Sequence, residues 1–339
     1  MRGKGMTYDT GFVRNGRSSR ESFEPEVVKR ELAIIRDDLH CTAVQVVGGD
    51  PDRLEQAARW AADLGLEVWF SPYPLEQSHD EMLALFADCA TRAERLRATG
   101  ANVVFVTGVE LSIMNHGFLP GEDLAERLGL LFAEPDGRAE RLAEVSKRLD
   151  AFLDTAVKVV RHRFRGAVTY ACIQYERLDW SRFDFVTMEL IRSAEVADIF
   201  QDGVRTLVAQ GKPVAITGFG TATWRGAGDV APQSMEITEY DKETGDPLRI
   251  DGEYERDEAG QATYLRELLE IFDEEGVDSA FVFLFALYNY PHRPGGNDLD
   301  LASFGLVKVL EDRSGTTYPG LNWEPKEAFT AVAKHYAKP

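Results

Sequence analysis

Lys212-Pro213-Val214-Ala215-Ile216-Thr217-Gly218-Phe219-Gly220 is an apolar run of strand length, opened by a Lys-Pro pair and closed by two glycines. Its lack of polar alternation suits a strand buried on both faces, as in a parallel sheet covered by helices. Working outward, similar strands are expected at residues 5–8, 43–47, 67–71, 102–107, 167–173, 183–188, 213–217 and 279–285. Helical patterns fill most of the gaps, at 25–39, 52–64, 80–99, 138–163, 195–210, 261–275 and 325–337. Between the fifth and sixth strands only a short connection through residues 179–181 is expected. Pro25 suits a first helical turn, and Gly100 suits a helix end. Eight β-then-helix units without a composition break predict an α/β (β/α)8 TIM barrel, one domain over residues 1–339. An open doubly wound sheet fits less well, because strand 1 runs into Asp9-Thr10-Gly11-Phe12 and not into a GxGxxG turn.

Bulk composition narrows the partners. The chain has 339 residues, 44% of them hydrophobic and 10% aromatic, which is enough for a large core. A formal charge of −19 argues against nucleic acid and anionic membranes. The basic cluster Arg161-His162-Arg163-Phe164-Arg165 closes an expected helix, where cations complement the helix dipole. Cys41, Cys89 and Cys172 are odd in number and lack metal or disulfide spacing. Cys172, inside strand 5, is expected as a small core residue. His116 has no second ligand at metal spacing. With no apolar leader and no long apolar run, the expectation is a cytoplasmic protein needing neither metal nor cofactor.

Barrel enzymes carry their chemistry on loops after the C-terminal strand ends. Three such loops are long here. Residues 112–137 follow strand 4 and include His116, Pro120 and Pro135. Residues 221–260 follow strand 7, contain Trp224, and alternate at 235–240 and 248–254 around Glu243-Thr244-Gly245-Asp246, a β-hairpin lid. Residues 288–305 follow strand 8 and hold Tyr288, Asn289, Tyr290 and His292. Loops of this length in a compact domain are commonly functional lids.

Two carboxylates stand out at strand ends. Glu110 follows Val103-Val104-Phe105-Val106-Thr107-Gly108-Val109, where burial would raise its pKa and suit a general acid/base, or where it would need an ion-pair partner. Glu189 ends Phe183-Asp184-Phe185-Val186-Thr187-Met188, beside strand 7. Substrate contacts are expected from Tyr8 and Asp9 after strand 1, Gln174 and Glu176 after strand 5, Gly218, and Trp224, Tyr288 and Asn289 in the lids. Asp9 equally suits a structural role in its loop, and the aromatic rings equally suit packing of a lid.

These segments together give the chain a resemblance. Tyr8-Asp9-Thr10-Gly11, Asp38-Leu39-His40-Cys41-Thr42, Val109-Glu110-Leu111, residues 179–186, residues 212–217, Ala280-Phe281-Val282-Phe283 and residues 298–305 resemble the glycoside-hydrolase-like TIM barrels of actinobacteria, often labelled "abortive infection protein". That group is similar to the clan of retaining glycosidases with catalytic glutamates after strands 4 and 7. The resemblance implies that Glu110 is the acid/base, although Val109 stands where the clan usually has Asn. It places the nucleophile at residue 218, which here is glycine. Relatives tend to carry Asn-Tyr after strand 6, where this chain has Glu189-Leu190. One carboxylate is thus missing at strand 7 and one gained at strand 6.

Three functions are compatible with this pattern. The first is a repurposed biosynthetic enzyme using Glu110 and Glu189 as acid and base in cyclisation, elimination or isomerisation of a small natural product or sugar derivative. The second is a glycoside hydrolase with an inverting mechanism or a relocated nucleophile. The third is a carbohydrate-binding pseudoenzyme. A phosphate nest at Gly218 and Gly220 is a weaker fourth, and an engineered loss of a glutamate at 218 is a further explanation of that glycine.

Overall fold

A computed structural model of the chain describes residues 1–132, 137–241 and 244–338. Eight strands run parallel: β1 (Gly3–Asp9), β2 (Ala43–Gly48), β3 (Glu67–Pro72), β4 (Val103–Val109), β5 (Ala167–Ala171), β6 (Val186–Glu189), β7 (Val214–Phe219) and β8 (Ser279–Val282). They pair in the order β5-β4-β3-β2-β1-β8-β7-β6. The ring is completed just past β5, where Cys172 bridges Met188 and the Glu189 N–H donates to the Cys172 carbonyl at 2.8 Å. This is the (β/α)8 barrel expected.

Helices α1 (Pro25–Asp37), α2 (Pro51–Asp63), α3 (His79–Ala98), α4 (Arg138–Arg161), α5 (Ala197–Val208), α6 (Glu258–Glu274) and α7 (Glu327–Tyr336) form the outer layer. Local chemistry starts them. Asp50 caps α2 by accepting from the Asp52 and Arg53 N–H groups, and Ser78 with Glu81 forms a reciprocal capping box on α3. Between β5 and β6 the chain makes only a short helical turn at Trp180–Arg182.

The barrel interior is a packed core and not a channel. Trp69 of β3 lies 4.8 Å from the Phe281 ring and 5.1 Å from the Phe185 ring, measured between centroids. These rings leave no room on β1. A Cβ at Gly5 would stand 2.7 Å from Cε1 of Phe281, so glycine is required there. Below the rings, Arg2 pairs with Glu67 at 2.5 Å and Asp278 at 2.8 Å, closing the end where the strands begin. Above them lies a polar layer: Thr7 donates to Gln45 (3.0 Å), and Thr169 and Thr187 are bonded at 2.6 Å. Apolar packing therefore seals the lower barrel, and the polar layer floors the mouth.

Several boundaries move. The expected strand at 183–188 becomes Val186–Glu189, because Phe183 ends the preceding turn by donating to the Trp180 carbonyl. The last strand stops at Val282 and not at 285. The strand-4 loop contains helices at Leu111–Met114 and Leu124–Phe132; Pro135 lies outside the described residues. The hairpin is present but shorter, Thr238–Tyr240 against Pro247–Ile250, and Glu243 of its expected turn lies outside the described residues. The strand-7 and strand-8 loops are tied together by ion pairs. Arg256 reaches Asp298 at 2.7 Å and Asp300 at 2.9 Å, and buried Lys326 meets Asp300 at 2.9 Å.

Candidate active site

Glu110 follows β4 in a left-handed conformation, φ 48° and ψ 37°, and opens the short helix Leu111–Met114. Its N–H donates to the Ala171 carbonyl at 3.0 Å, which anchors it to the end of β5. Its carboxyl is half-buried and, among the described residues, has no protein hydrogen-bond donor. Desolvation first, then the negative charges of Glu189 and Glu176, hold its pKa well above the usual carboxylate range.

Glu189 ends β6 and is also half-buried. Its Oε1 accepts from the Thr217 hydroxyl of β7 at 2.7 Å. Burial pushes its pKa up to about 7, against the lowering effect of that hydroxyl. The register between β6 and β7 shifts after Met188, so Glu189 pairs with Gly218. A Cβ built on Gly218 would stand 2.7 Å from the Glu189 carboxyl carbon, and closer still to Oε2. The Glu189 carboxyl therefore fills the space that any side chain at 218 would need first.

Glu176 acts behind this pair. Buried at 5% exposure, it accepts from both the hydroxyl (2.6 Å) and the N–H (3.3 Å) of Ser112, the Tyr170 hydroxyl (3.0 and 2.9 Å), and the Ile173 N–H (3.1 Å). Tyr170 in turn accepts the Leu111 N–H at 2.9 Å. Glu176 and Tyr170 thus clamp the turn that carries Glu110. Burial raises the Glu176 pKa despite these donors.

The other expected contacts divide. Tyr8 and Tyr288 point away from the mouth: both donate to buried Glu31 of α1, at 2.5 and 2.8 Å, beside Arg20, which pairs with Glu31 at 2.9 Å. They belong to the layer between barrel and helix, which corrects the expectation that they touch substrate. Asp9 is buried, accepts from the Gly11 N–H (2.6 Å) and the Ser19 hydroxyl (2.9 Å), and holds its loop, with burial lifting its pKa to about 6. Trp224 donates to the Ser234 carbonyl at 2.9 Å and packs at a tilt against Tyr254 (5.2 Å between centroids), packing the strand-7 loop on itself. Gln174 is exposed beyond β5. Asn289 is half-buried, with an Oδ1 that finds no donor.

Tyr73 was not anticipated. It follows β3 in Ser71-Pro72-Tyr73-Pro74, where two prolines fix the chain beyond a strand end, the one signal that could have revealed it. Burial first, then the charges of Glu110 and Glu189, hold its pKa well above the usual phenol range. Its ring edge packs on Phe12 at 5.0 Å. Tyr175 also borders the site, with its hydroxyl 3.0 Å from that of Ser112.

No family model matches the chain, and no curated protein does. Among solved structures, a GH113 β-1,4-mannanase superposes with a TM-score of 0.62 at 16% identity, covering 100% of this chain and 99% of that one. The GH113 β-mannanase of Alicyclobacillus acidocaldarius gives 0.58 at 15%, covering 99% and 97%. A β-glucuronidase of an uncultured Clostridium gives 0.59 at 14%, with this chain covering 51% of that larger one. At these identities the likeness establishes a glycosidase-like barrel fold. The fold is one these glycoside hydrolases share, and neither of the other comparisons supports the actinobacterial label. Among the described residues, no helix is long and apolar enough to cross a membrane.

Proposed function

We propose that this chain is a single-domain, glycosidase-like enzyme in which the second catalytic carboxylate has moved from strand 7 to strand 6. Glu110 is the general acid/base and Glu189 the nucleophile. The observation that carries this is the occupation of the Gly218 side-chain space by the Glu189 carboxyl. A carboxylate that was merely gained would have no reason to take the space vacated at 218. This coupling also favours a natural glycine at 218 over an engineered one.

The electrostatics suit the division of roles. Two carboxyls with separated pKa values sort into acid and nucleophile. Glu110, without hydrogen-bond donors, keeps its proton and protonates the departing glycosidic oxygen. Glu189, favoured as the anion by the Thr217 hydroxyl, attacks the anomeric carbon as that C–O bond breaks. Glu110 then takes a proton from water, which displaces Glu189 and releases the sugar with the original anomeric configuration. Such retention goes with carboxyls about 5–5.5 Å apart.

The test is a panel of aryl glycosides, with the first-formed anomer followed by proton NMR. Retention, abolished in Glu189→Gln, supports the proposal. Inversion would assign Glu189 as base to a water instead. Substrate consumption without hydrolysis would favour the cyclisation, elimination or isomerisation reading. Activity untouched by Glu189→Gln would remove Glu189 from the chemistry.

A further inference from the structure

One cation at the mouth is left unused. Arg14 sits in a small ribbon, Val13–Arg14 against Arg17–Ser18, in the loop after β1. Its neighbours in that loop are engaged: Arg17 pairs with Asp246 at 2.6 Å and Arg20 with Glu31 at 2.9 Å. Arg14 is half-buried, yet among the described residues no carboxylate lies within ion-pair distance and none of its N–H groups finds an acceptor. Its Nε is fully buried without a partner. Buried donors are nearly always satisfied, and a guanidinium offers five of them. The buried Nε–H of Arg14 is therefore a donor that a bound acceptor would satisfy.

Its surroundings place that donor at the site. Phe12, two residues earlier, packs on Tyr73 at 5.0 Å, and the charges of Arg14, Glu110 and Glu189 all act on that tyrosine. On the other side a Cβ at Gly245 of the hairpin would be 3.6 Å from Cδ of Arg14, so the lid lies over it. The Arg14 charge also acts on Tyr290, whose hydroxyl lies 2.8 Å from that of Tyr240 in the hairpin. Arg14 thus bridges the hairpin lid and the mouth.

We infer that Arg14 binds an oxyanion carried by the substrate, so that the site takes an acidic sugar and not a neutral one. The inference rests on the carbohydrate site proposed above, but it concerns binding and does not require turnover. A planar guanidinium meets a carboxylate or a phosphate through two parallel hydrogen bonds, which gives orientation as well as affinity. The protonated state favoured at Glu110 reduces the repulsion an anion would meet in an otherwise acidic mouth.

The experiment is calorimetric titration of the full chain with methyl β-D-glucuronide, glucose 6-phosphate and neutral methyl β-D-glucoside, repeated on Arg14→Ala and Arg14→Lys. At least one anion should bind tighter than the neutral glycoside by roughly ten- to a hundredfold, the range of a charge-assisted hydrogen-bond pair. The preferred anion separates a carboxylate from a phosphate ligand. Arg14→Ala should abolish the preference while leaving the melting temperature unchanged, and Arg14→Lys should keep part of it. Equal binding of anion and neutral sugar, binding of neither anion, or a preference that survives Arg14→Ala would each overturn the inference. If the glycosidase assignment fails while the Arg14-dependent preference persists, only the chemistry needs revision.

Discussion

Oε2 of Glu189 and the missing Cβ of Gly218 claim the same space, across the β6–β7 register that pairs these two residues. Neither position can be understood alone: glycine at 218 permits the carboxyl, and the carboxyl gives the glycine a function.

Adding one methyl group should therefore damage the site. Gly218→Ala would push Glu189 off Thr217, and overpacking of this kind costs about 1–3 kcal/mol. We expect kcat/KM on the best aryl glycoside to fall by about a hundredfold or more, because misplacement by about 1 Å is enough for such a loss. Urea unfolding together with steady-state kinetics checks both effects.

Glu189 should make the fold less stable as pH rises. Its carboxyl has a folded pKa of about 7, above that of an unfolded glutamate, so the folded state holds more protons between about pH 4.5 and 7. Stability from this group is present at low pH and is lost as pH rises through that window. Glu189→Gln keeps a hydrogen-bond acceptor for Thr217 without the charge. It should be more stable than the parent at pH 8 by on the order of 1–3 kcal/mol, less whatever solvent screening removes, with the gain vanishing near pH 4.5. Denaturant melts at the two pH values decide it.

Glu176 should act on Glu110 without touching substrate. Its charge raises the Glu110 pKa, so Glu176→Gln should lower it and move the alkaline limb of the pH–rate profile to lower pH. A residue that only braced the turn would lower kcat without moving that limb. Tyr170→Phe, which removes one donor to Glu176, should cost about 1 kcal/mol of stability.

Tyr8 and Tyr288 supply the opposite control. Tyr288→Phe leaves one Glu31 oxygen with one donor fewer and should lower stability by about 1 kcal/mol with KM unchanged. A KM effect at either tyrosine would return it to the substrate site.

How far the sequence was legible follows from the geometry of a barrel. The positions of Glu110 and Glu189 at the ends of β4 and β6 could be read because each is a carboxylate closing an apolar strand. Tyr8 could not be read. In β1 the residues Met6 and Tyr8 face the helices, while Thr7 reaches Gln45 inside, but a strand buried on both faces shows no alternation to tell the two apart. Gly218 was visible as an anomaly, yet its cause needed the β6–β7 register, which shifts after Met188. Arg14 sits in a two-residue ribbon strand too short for any periodic signal, and its meaning lies in partners it lacks.

The relocation of the nucleophile is tested most directly by trapping it. The enzyme is incubated with a 2-deoxy-2-fluoro derivative of the glycoside it turns over, carrying a reactive leaving group, and the labelled peptide is sequenced by mass spectrometry. With a relocated nucleophile, one covalent sugar is expected, on Glu189 and absent from Glu189→Gln. A label on any other residue, or steady turnover with retention and no Glu189 adduct, would contradict it.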